Sequence, residues 1–385
     1  MIPRTEEVSV REIDGLNRRD VDQFIELPFR LYRNVPQWTP PLRFEIRNRL
    51  NPRKHTYFEH SAAGFFLAEK DGQVVGRIAV LRQRFYNEAH QNDTAFFYWF
   101  ESTDDQSVAE ALFNAGKVWG QQRGLRQLLG PVGFIQPDPP GILVQGFEHE
   151  GTGDVPWHFP YYEDLLLRAG FESHTDYLSG YIDRSIPFPD AAVAQGQEAL
   201  ITGGYQMQVL ANRRTLRNWA PQFFSTYLTA FEAVPDFYGM SGRDFTALFE
   251  RMRFIIDLKT TQGLLKGDEL RGFILSFRDV TPALKKARGG LLPFLWWHLL
   301  SRFSRPQQCN IIALGVLPEH QKGGVNLALL SELLISLRDT GYARAEIVQI
   351  VKGNANTHGD MTRLGAKWDK CHRVYRREIS PDPAS

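Results

Sequence analysis

Cysteine is almost missing from this chain: its 385 residues contain two, Cys309 and Cys371. They form no CxxC pair or other spaced ligand set, so neither a zinc site nor a disulfide framework is expected, and no metal. Excess charge of one sign is missing too, with 45 Lys and Arg against 44 Asp and Glu. That balance leaves no electrostatic footprint for nucleic acid, and none is expected as a partner. Long hydrophobic runs are scarce as well. Leu291–Leu300 is apolar but far short of the ~20 residues of a membrane span. The first residues carry Arg4, Glu6 and Glu7 without an apolar stretch of signal-peptide length, so a cytoplasmic location is expected. Two nucleotide signatures are also lacking: there is no GxxxxGK[ST], and no GxGxxG opening a βαβ unit.

What is present concentrates at Asn310–Gly341, NIIALGVLPEHQKGGVNLALLSELLISLRDTG. Residues 310–316 are an apolar, β-branched run that Pro318 stops, because proline cannot continue a central ladder. A basic glycine turn follows, Gln321-Lys322-Gly323-Gly324. Beyond it an amphipathic helix is expected to about Asp339, with Gly341 just past its end. Strand, glycine turn and helix start aim several backbone N–H groups at one point, where the helix dipole also favours an anion. A diphosphate suits that point, although a basic glycine turn also serves as a structural loop.

The sequence after the helix narrows the choice. Residues 344–351, RAEIVQIV, read as a second strand; then come Asn354 to Ala366 and a last strand region through Lys367–Arg377. The whole order resembles the C-terminal half of the GNAT acyltransferase superfamily: strand, Q/RxxGxG/A, helix, strand, Asn, short helix, glycine turn, strand. Gln321, Gly324, Asn354 and Gly365 fall on the family positions. The resemblance implies acetyl-CoA or another acyl-CoA as co-substrate, its diphosphate on the N–H groups of residues 322–327. Leu314, Val316, Gln321, Lys322, Gly323, Gly324, Val325, Asn326 and Asn354 would then bind the cofactor. Two residues depart from the pattern. Asn326 stands where the family has Gly or Ala, and Met361 where many members carry a tyrosine that protonates the leaving thiolate.

The plan occurs twice. Residues 65–80, FFLAEKDGQVVGRIAV, and 263–277, GLLKGDELRGFILSF, are both hairpins with a Gly/Asp turn. Arg168-Ala169-Gly170-Phe171 matches Arg363-Leu364-Gly365-Ala366, and helices end at Gly124 and at Gly341. The expected fold class is α/β with a mixed sheet: two tandem GNAT-like domains, each a mostly antiparallel twisted sheet flanked by helices. The prolines of Ile186-Pro187-Phe188-Pro189 set the expected boundary, giving domains 1–185 and 186–385, the second with an insertion at 281–308. The first copy has Glu101-Ser102-Thr103-Asp104-Asp105 in place of the glycine turn. An acidic turn repels a diphosphate, so only the second copy is expected to bind cofactor.

Three stretches fit neither repeat. Residues 27–42 look like an extended arm, and 130–162 are a long aromatic insertion that would either line an acceptor pocket or pack as structure. Leu284–Arg305 sets Lys285, Lys286 and Arg288 before Trp296 and Trp297; it suits peripheral membrane contact, an apolar lid, or burial. For the reaction, the resemblance implies direct attack of an amine on the thioester, with a backbone N–H near Leu314–Val316 polarising the carbonyl. Such an amine must first lose a proton. Glu346 and His358 are the candidates to take it. Three readings compete: an acyl-CoA-dependent N-acyltransferase with a small-molecule or peptide amine as acceptor, a non-catalytic acyl-CoA-binding protein, and a Fem-like aminoacyl transferase.

Overall fold

The computed structural model describes residues 7–153, 155–186, 189–290 and 307–379. Its elements in chain order are β1 Ser9–Glu12, α1 Arg18–Leu31, α2 Arg43–Leu50, β2 Ala62–Lys70, β3 Gln73–Arg82, α3 Arg84–His90, β4 Thr94–Ser102, α4 Gln106–Gln121, β5 Gln127–Gly130, β6 Ile142–Gln145, α5 Tyr161–Arg168 and β7 Glu172–Asp183. They continue with α6 Asp190–Gly203, β8 Gln206–Val209, α7 Arg213–Phe231, α8 Gly242–Met252, β9 Gln262–Lys266, β10 Glu269–Arg278, α9 Thr281–Ala287, β11 Gln308–Val316, α10 Val325–Thr340, β12 Arg344–Val351, α11 Ala355–Arg363 and β13 Lys367–Glu378.

The chain forms two compact units, and their limits differ from 185/186. Among the described residues, unit 1 holds those from 7 to 176, from 284 to 290 and from 371 to 379. Unit 2 holds the described residues from 177 to 283 and from 307 to 370. Each sheet therefore borrows from the other half of the sequence. In unit 1, β1 to β4 pair antiparallel in order, β5 joins β4 in parallel, and residues 371–378 of β13 close on β5 and β6. In unit 2, residues 177–183 of β7 pair with β12, which runs parallel to β11; β10, β9 and β8 follow antiparallel. The expected boundary falls after the end of β7, whose pairing had already changed units.

Local sequence explains the common frame. The β2–β3 turn needs two residues at positive φ and has Asp71 (54°) and Gly72 (72°), as a tight hairpin demands. In unit 1, α4 lays Val108, Leu112 and Phe113 on the sheet at helical spacing. Gly76 lets it come close, since a Cβ there would meet Leu112 at 2.7 Å. In unit 2, α10 buries Leu327, Leu330, Leu333, Leu334 and Leu337 against β10, β11 and β12. Its outer side takes α6, where a Cβ at Gly196 would stand 3.0 Å from the Ala328 backbone.

Both N-terminal stretches outside the repeats belong to unit 1 and meet there, although residues 27–31 of the expected extended arm are the end of helix α1. Tyr32 of the arm stacks on Trp38 (5.3 Å) and on Phe159 of the 130–162 insertion (5.0 Å). Thr39 donates to the Gly151 carbonyl, and Lys285 Nζ reaches the Pro36 carbonyl and Glu150. The root of the Leu284–Arg305 stretch is thus clamped on the arm; Trp296 and Trp297, and the lid or membrane role expected of them, lie outside the described residues. Among the described residues, no helix is long and apolar enough to cross a membrane.

Candidate functional site

The β11–β12 pair opens like a fork. The parallel ladder runs from Gln308↔Arg344 to Ile311↔Ile347 and ends there. β11 continues to Val316 with β10 as its ladder partner. β12 bulges away, its register against β7 shifting between Ile347 and Ile350, and Gln349 takes a φ of 46° with its N–H on Ser179 Oγ. Ile312, Ala313 and Leu314 are half-buried along this open edge, while Val316 is buried. A strand edge with unused N–H and C=O groups is where an extended ligand can add hydrogen bonds.

The glycine turn continues directly from that edge. Gln321 Nε2 donates to the Val316 carbonyl (3.0 Å), pinning the turn to the strand end. Tyr205, just after α6, is hydrogen-bonded to Nδ1 of His320 (2.7 Å) and steadies its other side. Gly323 and Gly324 have φ of 76° and 82°, a region other residues enter only with strain. Gly324 is the N-cap of α10, and no side chain caps that helix. The first-turn N–H groups of Val325, Asn326 and Leu327 therefore lack intrahelical partners and face an exposed turn, Gln321–Gly324. Lys322 adds an exposed cation. Asn326 is half-buried in the first turn and Val325 anchors it in the core.

The remaining predicted residues sit apart from this turn. Asn354 is exposed and caps α11, its Oδ1 accepting from Thr357 N (3.2 Å). His358, half-buried on α11, stacks on Trp368 with ring centres 4.5 Å apart. Glu346 lies one rung before the fork, opposite Asn310. It is 1% exposed, with Oε1 2.5 Å from Lys370 Nζ and Oε2 2.8 Å from Arg344, which lies over Tyr181. Its neighbours Ala345 and Ile347 join the α10 core, so Glu346 points to the opposite face. Met361 is 1% exposed inside that core, which leaves its sulfur no part in proton transfer. Among the described residues, no group of three or more His, Cys, Asp or Glu is placed to hold a metal.

The first copy has the same fork, stopped up from within. β4 and β5 run parallel from Thr94↔Gln127 to Phe96↔Leu129, then part. At the free end of β4, the Tyr161 hydroxyl donates to the Ser102 carbonyl and the Tyr162 oxygen accepts from the Ser102 N–H. Tyr162 and Tyr32 both donate to buried Glu101, at 2.7 and 2.6 Å, with Arg77 3.7 Å away. Burial pushes the Glu101 carboxyl up and the Arg77 guanidinium down. The start of α4 is filled as well: Asp105 accepts from the backbone and hydroxyl of Ser107 and pairs with Lys70 at 2.8 Å. The Lys70 and Ser107 hydrogen bonds hold its carboxyl below the ordinary aspartate value.

No protein-family model matches the chain. Compared with solved structures, it covers 98% of its length on a tandem GNAT protein from the clavulanic acid biosynthesis pathway, all of which is covered in turn, at a TM-score of 0.56 and 13% identity. It has a tandem GNAT fold. Two curated proteins are similar along nearly their whole lengths. Protein YghO of Escherichia coli (strain K12) is 24% identical over 378 residues, covering 94% of each chain. Bacterial ceramide synthase of Caulobacter vibrioides (strain NA1000 / CB15N) is 24% identical over 371 residues, covering 94% of this chain and 95% of that one. In GNAT terms, the open fork and the uncapped helix belong to the second copy.

Proposed function

We propose that the chain is an acyl-CoA-dependent N-acyltransferase whose acceptor is a long-chain amine. The observation that carries this is the uncapped start of α10, reached through two left-handed glycines and adjoining an open strand edge. That arrangement supplies a diphosphate with N–H donors and the positive end of a helix dipole. The adjoining edge offers an extended ligand hydrogen bonds and brings a carbonyl beside the N–H groups of Leu314–Val316. The acceptor class rests on the similarity to a bacterial ceramide synthase, since a ceramide is the amide of a fatty acid and a long-chain amino alcohol.

The reaction balances simply. The amine nitrogen bonds to the acyl carbon, the C–S bond breaks, and an ammonium plus a thioester give an amide, a thiol and one proton. A backbone N–H of β11 polarises the carbonyl, worth several kcal/mol when fixed in place. The leaving thiol has a pKa of ~8.5 and departs without a tyrosine at position 361. Both Glu346 oxygens are committed to Lys370 and Arg344, so we give Glu346 the task of holding β12 at the fork and leave proton transfer to His358 or water.

Calorimetric titration with acetyl-CoA and with palmitoyl-CoA tests the reading, run beside Asn326→Asp. A carboxylate in the first turn of α10 favours the helix but repels a diphosphate, so the variant stays folded and binds at least ~10-fold more weakly. Equal binding by both proteins, or none by the wild type, sinks the proposal.

A further inference from the structure

Each arm of the fork carries one residue more than its outer neighbour, and both do so at the same level. On β11 the extra residue is Ile312, since Ile311 pairs with Ser276 of β10 and Ala313 with Leu275. On β12, Ile347 pairs with Gly180 of β7 and Ile350 with Leu178, which leaves Val348 and Gln349 opposite Ser179 alone. Ile311 and Ile347 also form the last rung of the parallel ladder, so both bulges begin where the strands part. A bulge bends the strand that carries it, and here both arms carry one.

The β12 bulge is held by a side chain. A bulged residue has no regular place in the ladder, and the Gln349 N–H goes instead to Ser179 Oγ at 3.1 Å. Ser179 is 2% exposed, so this bond is made away from bulk water. Gln349 meanwhile sits at a φ of 46°, which a residue with a Cβ enters at a cost. Strain of that kind persists only where the surroundings hold it. Here β7 is a firm base: a Cβ at Gly180 would collide with the Lys367 carbonyl, so the start of β13 lies hard against it.

We propose that Ser179 is a positioning residue for the cofactor: its hydroxyl holds the β12 bulge, and the bulge keeps the β11 edge free for the pantetheine arm of acyl-CoA. A serine on β7, ahead of the second repeat, thus sets the opening of the second repeat's site. Without the hydroxyl, the Gln349 N–H is left unpaired in a bulge already under strain, and β12 falls back towards the β11 edge. The assignment rests on the reading that the fork holds acyl-CoA.

The test is calorimetric titration of the full chain with CoA, repeated in the presence of ADP, which carries a diphosphate but no pantetheine arm. Ser179→Ala weakens CoA at least ~10-fold, and so does Gln349→Val, whose β-branched side chain resists a positive φ. The Kd for ADP, measured by its displacement of CoA, stays at the wild-type value in both, which a general folding defect would not allow. Ser179→Thr, which keeps a hydroxyl, and Gln349→Gly, which takes that φ freely, bind CoA as the wild type does. Wild-type affinity for CoA in both Ser179→Ala and Gln349→Val overturns the latch, as does an equal weakening of CoA and ADP. A wild type that binds no CoA overturns the underlying reading and the latch with it.

Discussion

The two helix starts, α4 and α10, are the same place in two copies of one fold, and they differ in what satisfies their N–H groups. At α4 the protein answers itself: Asp105 caps the helix, and Tyr161 and Tyr162 occupy the neighbouring strand end. At α10 no side chain caps the helix, and the strand end beside it is open. A helix end that fills its own anion site gains stability from that site; one left open keeps it for a ligand. The contrast teaches that filling such a helix start adds internal bonds, which makes the closure measurable as stability.

Breaking the internal network should give the largest effect. Glu101→Gln leaves the 3%-exposed Arg77 side chain without its countercharge and should cost about 3 kcal/mol in urea unfolding. It should leave the CoA affinity of the second copy unchanged. A smaller effect is expected at the α4 cap, where Asp105→Ala should cost about 1 kcal/mol without creating a second CoA site, since the tyrosines still fill the strand end. A second equivalent of CoA in that titration would show that the acidic turn alone closed the first copy. The smallest effect is in pH. The folded pKa of Asp105 lies below its unfolded value, so its contribution is complete above about pH 4 and is lost as pH falls through the folded value. The stability gap between wild type and Asp105→Ala should therefore shrink on acidification below that point, and a gap independent of pH would contradict the cap.

Much of this was legible beforehand, for physical reasons. β12 spans the expected 344–351, and α10 runs from the glycine turn to Thr340, because period, proline and glycine act locally. The acidic turn of the first copy was visible by charge, and its Asp105 is the residue that caps α4. Long-range pairing was not legible. An apolar run specifies a strand but not its neighbour, so the exchange of β7 and β13 between units left no local mark. Glu346 stood out as a candidate base on a strand; its buried ion pair with Lys370, 24 residues along the chain, left no local mark. Tyr161 and Tyr162 were visible as aromatics in an insertion, but their hydroxyls found β4 only through the fold.

The crossing of β7 and β13 makes the halves of the gene inseparable. A chain ending at Lys370 would still encode the described residues of unit 2 yet leave unit 1 without its closing strand, exposing the edge of β5 and taking from Glu163 the Tyr375 hydroxyl that donates to it. Damage within 371–378 would thus appear in the unit built mostly from the first half of the chain, and that unit cannot close its sheet until β13 has been made. Neither unit could be removed without carrying off a strand of the other, so the filled helix start and the open one stay together in one chain.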